Sequence, residues 1–452
     1  MGLILGSGNT KPQFPYDQWY GVRGDFTSTD KILTRVGSLD LHRSLPIQSN
    51  VKRFVENTDG TVKYYLHPND SRKRDSGAAA VLDSTDGNVM LEIPEHYVHY
   101  EINGTQWIYA ISQFPLPGFV RVPRRTISPW LATVDNVNSK VVSGCFLTWN
   151  GDAIARDENG LPVFTANAAQ FRGCANTTAD DGTAKSGLGM GRTEISRTSM
   201  RGKCVNGSHV GAYRAYNTLK WLFRIEYANM NAQDAYNSSL TQDGYHQGGL
   251  GNGTSFTGAT WNTHNAYHPY IPSGVTATLG NNTGIVSYEC KLSQGGSQTF
   301  QVQSYRGFEV PFEYIWLNCD DMLIHHSPDS ARALSEAYVC DDPTKFTTPS
   351  NTQENVPDGY FLQATLPRTS TYIKSESVNA TNGWSFPTVA GGSGNSGICD
   401  YFYHPGADAD GWYAALFGGT ANNGAVAGFG YLSTGHRPAA TSASFGFRLC
   451  RN

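Results

Sequence analysis

Short apolar runs, each closed by turn residues within a few positions, most limit how this chain folds. VKYYL (62–66) and VMLEI (89–93) have the length and the β-branched or aromatic content of strands, and NTDG (57–60) is a typical turn. The 49 glycines and the low charged fraction of 16% agree with this pattern. A loop-rich fold of short strands is therefore favoured over a helical bundle.

One segment has the spacing of a helix. In residues 216–237, apolar positions such as Leu219 and Leu222 recur at near-helical intervals, and Asn217 and Thr218 are candidate caps. The downstream runs that we predict to be strands are TFQVQSY (299–305), YFLQATL (360–366) and FGFRL (445–449). A helix followed by loop-rich β structure predicts an α+β fold.

A proline-rich segment, FPLPGFVRVP (114–123), separates two zones of the chain. Prolines hold the backbone extended, which suits a connector between domains or an edge strand. We therefore predict a β-rich N-terminal domain over residues 1–115 and a second domain over residues 116–452.

Charge and hydropathy exclude several classes of partner. The net charge of −4 provides no basic field for nucleic acid. No apolar stretch approaches the roughly 18–20 residues that span a bilayer. The first residues, MGLILGSGNTKPQFP, lack the basic flank and apolar length of a signal peptide. We expect a protein made in a cytoplasm, with no membrane insertion, and eight reduced cysteines.

Three segments carry a family resemblance. SYRGFEVPFEYIWLNCDDMLI (304–324) resembles the signature of the formylglycine-generating-enzyme branch of C-type-lectin folds, and IEYANMNAQ (225–233) resembles the helix that precedes it. The tail, residues 399–450, is similar to the variable region of proteins that phage and bacterial retroelements diversify. The resemblance implies a C-type-lectin-like ligand-binding domain over 116–452, with 399–450 as the candidate variable region. Two helices would surround a small twisted sheet, and the last segment would pair centrally in it.

The first zone resembles a domain that recurs in tail-fibre and head-fibre proteins of gut phages. The segments that carry this resemblance are LHRSLPIQSNVKR (41–53), VMLEIPEHYVHYE (89–101) and ISQFPLPGF (111–119). It implies a virion protein made in the host cytoplasm, whose N-terminal domain docks on other virion proteins. Fibre proteins of this kind usually form homotrimers, and several copies would strengthen weak single-site binding.

The tail mixes tyrosine, tryptophan, aspartate and serine with glycine, the composition of antibody paratopes. We predict that these side chains contact a host cell-surface glycan or protein. The predicted contact residues are Tyr401, Tyr403, His404, Asp408, Asp410, Trp412, Tyr413, Tyr431, Ser433, Thr434, His436 and Arg437. Two alternatives stay open: glycine and asparagine mark flexible loops, or the chain is a structural fibre or capsid or tail decoration protein without ligand specificity.

Four residues of the resembling motifs are predicted to be structural. Arginine and glutamate are rarely buried unless they are paired, so Arg306 and Glu309 are expected to tie loops to the core. Trp316 is expected in the core, and Arg448 is expected to be buried and paired.

Catalysis and metal binding are not predicted. The related oxygenase branch binds copper through two neighbouring reactive cysteines, whereas the closest pair here, Cys319 and Cys340, is 21 positions apart. HNAYH (264–268) has two histidines but no third ligand, and GADADG (406–411) lacks the EF-hand spacing. We expect no catalytic residue, no metal site and no cofactor. Two alternatives stay open: an incidental calcium ion bound in the GADADG loop, and an oxidase that would need copper and a thiol substrate.

Overall fold

The computed structural model describes residues 15–173, 187–328, 333–393, 398 and 400–452. Residues 1–14, which include most of the segment compared with signal peptides, lie outside this range, as does Cys399 at the start of the predicted variable region. The described residues form a β-rich fold with strands β1–β27 and helices α1–α4. None of their helices has both the length and the apolar character needed to cross a membrane.

The first zone forms most of two sheets. Its elements are β1 (Trp19–Asp25), β2 (Thr34–Gly37), α1 (Leu39–Ser44), β3 (Lys52–Glu56), β4 (Val62–His67), β5 (Asp70–Arg74), β6 (Val89–Ile93), β7 (His96–Asn103), β8 (Gln106–Ser112), β9 (Val120–Val122) and β10 (Arg125–Ile127). One sheet has the order β2-β1-β8-β7-β9. The second places β10, β6, β3, β4 and β5 side by side. The predicted strands at 62–66 and 89–93 are confirmed as β4 and β6.

The middle of the chain has short hairpins and the remaining helices. These are β11 (Thr133–Asp135), β12 (Lys140–Val142), β13 (Trp149–Asn150), β14 (Ala153–Ile154), α2 (Arg197–Arg201), α3 (Tyr213–Tyr227) and α4 (Gly258–Asn265). All but one of the 15 residues of α3 are buried, so this helix lies inside the molecule with no solvent-facing side. It begins three residues before the predicted start and ends ten residues before the predicted end.

Non-local contacts explain both ends of α3. Its first residues have no side-chain cap of their own, and the Asp321 carboxylate accepts hydrogen bonds from the N–H groups of Tyr213 (3.0 Å) and Arg214 (3.3 Å). The predicted caps, Asn217 and Thr218, therefore lie within the helix. At the other end Ala228 has a left-handed backbone (φ 49°), which stops the helix.

The last part of the chain contains a three-stranded and a nine-stranded sheet. Its strands are β15 (Gly284–Lys291), β16 (Ser297–Tyr305), β17 (Phe308–Glu309), β18 (Trp316–Ser327), β19 (Leu334–Cys340), β20 (Tyr360–Thr365), β21 (Thr371–Val378), β22 (Ser385–Ala390), β23 (Tyr401–Tyr403), β24 (Gly411–Phe417), β25 (Leu432–His436), β26 (Phe445–Gly446) and β27 (Cys450–Arg451). The larger sheet has the order β20-β19-β18-β24-β25-β23-β21-β22, and β26 pairs with β18. The predicted strands at 299–305 and 360–366 are confirmed as β16 and β20. The predicted strand at 445–449 is only partly present.

The two predicted zones share sheets and a core. Strand β27 pairs with β10 (Ile127 opposite Cys450) and so completes the sheet of the first zone. Tyr109 of β8 stacks on Trp221 of α3 with ring centroids 3.9 Å apart. One hydrophobic cluster extends from Tyr20 to Cys450. The predicted boundary at residues 115 and 116 therefore does not coincide with a break in packing, and the 114–123 segment is not a contact-poor linker.

Candidate ligand-contact surface

The predicted contact residues lie on β23, β24 and β25 and in the loops between them. Side chains alternate between the two faces of a strand, and paired residues share a face. Phe402 is paired with Leu432, and both side chains are buried in the main core. Tyr403 is paired with Ser433 on the opposite, outer face.

Four aromatic side chains form a continuous row across this outer face. Tyr372 contacts Tyr401 (centroids 5.4 Å apart), Tyr401 contacts Tyr431 (5.6 Å), and Tyr431 contacts Trp316 (4.8 Å), all edge to face. Tyr372 and Tyr401 are half-buried, whereas Tyr431 and Trp316 are buried. This aromatic row connects β21 and β23 with β18 across two intervening strands. Tyr372 was missed by the sequence analysis because it lies upstream of the tail, and only strand register places it beside Tyr401.

Tyr403 is the most accessible aromatic residue of the predicted set, with 41% of its surface exposed. Its ring lies against Gly435, where a Cβ atom would overlap the ring. Its backbone carbonyl accepts a hydrogen bond from Oγ1 of Thr434 at 2.9 Å. The absence of a side chain at Gly435 therefore leaves the space that the exposed tyrosine ring occupies on the sheet.

Arg437 joins the end of β25 to the loop before β24. Its Nη1 donates to the carbonyl of Asp410 at 2.6 Å, and its guanidinium lies 4.1 Å from the ring centroid of Tyr413. The carboxylates of Asp408 and Asp410 remain exposed in this loop, and His436 is exposed beside Arg437. Two exposed carboxylates and part of a guanidinium thus lie where the loop before β24 meets the end of β25.

Six predicted contact residues are buried, which corrects the prediction for them. They are His404, Trp412, Tyr413, Tyr431, Ser433 and Thr434. Trp412 and Tyr413 are buried because β24 is covered on both faces, and Tyr431 is buried in a cluster with Trp316 and Leu416. Trp412, for example, is 1% exposed, contacts His325 and Tyr338, and donates Nε1–H to the carbonyl of Gln353 at 2.9 Å. These side chains support the surface and do not contact solvent.

A buried cluster of ion pairs connects β21 and the start of β23 to helix α3. Arg224 of α3 pairs with Glu376 of β21 and with Asp400, both at 3.0 Å, and Lys220 reaches Glu376 at 2.9 Å. Burial opposes ionisation of Glu376, but the charges of Arg224 and Lys220 lower its pKa to about 2. Asp400 directly precedes Tyr401, so the cluster anchors β21 and β23 to the central helix.

The predicted structural residues of the resembling motifs are confirmed in those roles. Arg306 pairs with Glu226 (Nη2 to Oε1, 2.7 Å). Glu309 accepts hydrogen bonds from the N–H groups of Gly274 (2.9 Å) and Thr276 (2.7 Å). Trp316 is 8% exposed within a hydrophobic cluster. Arg448 is buried, but its Nη2 donates to the carbonyl of Glu309 at 2.6 Å, so its partner is the backbone and not a carboxylate.

The cysteines and histidines of the described residues show no activated pair. The thiol of Cys290 lies 3.7 Å from Nε2 of His264, but burial raises the pKa of Cys290 to about 12 and lowers the pKa of His264 to about 4. Neither a thiolate nor an imidazolium would form there at neutral pH. His268 instead faces Thr193 (3.4 Å), so the histidines of HNAYH have separate surroundings. No group of three or more His, Cys, Asp or Glu within the described ranges is arranged to hold a metal ion.

The remaining predicted residues define the candidate surface, which consists of Tyr401, Tyr403, Asp408, Asp410, His436 and Arg437. It combines aromatic rings with acidic and basic side chains, on a sheet that the ion cluster connects to α3. Neither a model of a known protein family nor a curated protein matches the chain.

Proposed function

We propose that this chain is a phage virion protein for host attachment, a tail-fibre or head-fibre receptor-binding protein. Its candidate surface would bind a glycan or protein on the host cell. The observation that carries the proposal is the exposed Tyr403 and its polar neighbours, held on a sheet that the ion cluster braces from the interior. Rigid tyrosines offer contact area at low entropic cost, and short polar side chains add hydrogen bonds.

The proposal includes a C-type-lectin-like fold for residues 116–452. Two features support it. The tail returns to the middle of a sheet, where β24 lies between β18 and β25 and β26 pairs with β18 in parallel. The long helix α3 packs against β18 and accommodates the ion cluster. The family resemblance implies a last segment that pairs centrally in the sheet, and these two features support the proposal on that point.

Diversification by a retroelement is proposed for the candidate surface alone. An exposed side chain can be exchanged with little effect on stability, whereas a buried side chain cannot. Variation among sibling phages should therefore concentrate on the six accessible positions and spare Trp412 and Thr434, which are 1% and 0% exposed. Homotrimer formation and docking of the first zone on the virion belong to the same proposal, because several copies multiply a weak single-site affinity.

We also propose that the chain is not an enzyme and carries no cofactor. The described thiols support this proposal, because burial keeps the pKa of Cys290 at about 12 and also raises the pKa of Cys340 and, more strongly, that of Cys319. Thiols of this kind do not supply the reactive pair that a copper oxidase needs.

A second candidate function is a structural fibre or capsid or tail decoration protein without ligand specificity. The burial of half of the predicted contact residues favours it, because a smaller part of the tail is available for recognition. The two candidates differ in whether Tyr403 contributes to binding.

The full-length protein should be tested on a glycan array and on a panel of intact bacterial cells. Tyr403→Ala should weaken binding at least about tenfold, the effect typical of an interface anchor. Phe114→Ala is a matched control, because Phe114 is also exposed (51%) but lies outside the tail. Binding that Tyr403→Ala leaves unchanged would contradict the assigned surface. A protein that binds neither glycans nor cells would favour the structural alternative.

A further inference from the structure

A cleft lies where the strands of the first zone meet the start of α3, at a place separate from the candidate surface. Its volume is about 170 Å³. Arg121 of β9 and Arg125 of β10 line one side, and Arg214 of α3, Asp341 and Trp384 line the other. Three arginines and one carboxylate therefore face a small space between two parts of the fold.

Arg125 is buried without a carboxylate partner. Only 8% of the residue is exposed, and its Nη1 donates to the neutral Oδ1 of Asn452 at 3.1 Å. Within the described residues it forms no ion pair. Burial lowers its pKa to about 10, partly offset by the more distant charge of Asp321. The other N–H groups of this guanidinium have no hydrogen-bond acceptor among the described residues and can donate to a ligand.

Arg214 is also incompletely satisfied. Its guanidinium lies 4.2 Å from the ring centroid of Trp384, and its Nε is buried without a hydrogen bond in the described part of the chain. Its ion partner is the carboxylate of Asp341, whose side chain is 52% exposed. Burial and the charge of Arg125 lower the pKa of Arg214 to about 9.

The cleft therefore brings two buried guanidinium groups close to each other. Arg121 is already paired, because Glu95 accepts from its Nε at 3.0 Å and from its Nη2 at 2.6 Å. Among the described residues, the buried charges of Arg125 and Arg214 are opposed by Asp341, at the solvent edge of the cleft, and by Asp321. Asp321 lies behind the cleft, where it caps the helix. Two neighbouring like charges in a low-dielectric site are stabilised when an anion binds between them.

We propose that this cleft binds an oxyanion, the carboxylate, sulfate or phosphate group of a small ligand, between Arg125 and Arg214. The planar guanidinium fork matches two oxygens of such a group. The volume of about 170 Å³ is large enough to hold such a group. The Asp341 carboxylate is the internal competitor that the ligand displaces from Arg214. This site is independent of the proposed host-attachment function.

The test uses the full-length protein and isothermal titration calorimetry with sodium sulfate, sodium phosphate and sodium acetate. Sodium chloride at matched ionic strength is the reference. We expect saturable binding of at least one oxyanion, and the three salts distinguish tetrahedral from planar groups. Arg125→Gln and Arg214→Gln should each weaken this binding at least about tenfold, the usual cost of a lost charge-assisted hydrogen bond.

Two further variants make the test specific. Asp341→Asn should strengthen binding several-fold, because it removes the competing carboxylate; since Asp341 is half exposed, this variant should fold even if an arginine variant does not. Arg124→Gln is the matched control, because Arg124 is adjacent in sequence but pairs with Glu92 outside the cleft. Binding that is equal in wild type, Arg125→Gln and Arg214→Gln would overturn the proposal. So would a sulfate response without saturation, which is the general salting effect on any folded protein.

Discussion

Arg224 forms a two-point ion pair with Glu376, with Nη1 to Oε2 at 3.0 Å and Nη2 to Oε1 at 3.2 Å, and both side chains are almost fully buried. Removal of one partner leaves an uncompensated charge in the interior. Glu376→Gln should therefore destabilise the protein by about 3–5 kcal/mol. Urea unfolding followed by tryptophan fluorescence measures this change.

The control for this prediction is the surface ion pair of Arg43 and Asp40, with side chains 43% and 92% exposed. Asp40→Asn should leave the unfolding midpoint unchanged, since exposed pairs contribute little. Equal midpoints for Glu376→Gln and wild type would show that the buried cluster does not stabilise the sheet.

Glu313 predicts a loss of stability as the pH rises. Its carboxyl group is buried, accepts a hydrogen bond from Ser255 at 2.6 Å, and has a pKa that burial raises from 4.5 to about 8. Between these two values the folded state holds a proton that the unfolded state has released. The contribution of Glu313 to the free energy of unfolding is therefore complete below about pH 4.5 and is lost as the pH rises to about 8.

The variant Glu313→Gln removes this titration while keeping a polar side chain of similar shape. Its stability relative to wild type should increase steadily between pH 5 and pH 8, measured by thermal unfolding at a series of pH values. A constant difference between the two proteins over this range would mean that Glu313 is ionised in the folded state.

His326 and His404 predict the opposite behaviour in acid. Their ring centroids are 4.5 Å apart, and burial lowers the pKa of His326 to about 3 and that of His404 to about 4, from a usual value of 6.5. The unfolded state takes up protons first, so stability is lost as the pH falls from about 6.5 toward 3. His404→Gln should shift the midpoint of acid unfolding to lower pH, as followed by circular dichroism. His67→Gln, on β4, should leave that midpoint in place.

The strands at 62–66 and 89–93 could be predicted because the alternation and turn residues that specify them are local. The start of α3 could not be predicted, because its cap is Asp321, more than 100 positions away in the chain. The accessible and buried members of the predicted contact set have the same composition, and only the packing of the folded chain separates them. The sequence therefore gives no reason to treat Trp412 and Tyr403 differently, but only Tyr403 is exposed to solvent.

This difference gives a direct test of the corrected surface. Trp412→Ala should destabilise the protein by about 3–5 kcal/mol, because it removes a buried indole and leaves a cavity beside His325 and Tyr338. Tyr403→Ala removes a ring that is 41% exposed and should change stability by only about 1 kcal/mol while it weakens binding to cells. Urea unfolding and cell binding, measured on both variants, distinguish a residue that stabilises the fold from a residue that contacts the ligand. A Trp412→Ala protein that unfolds at the wild-type midpoint but no longer binds cells would place the indole in the recognition surface and refute the burial described here.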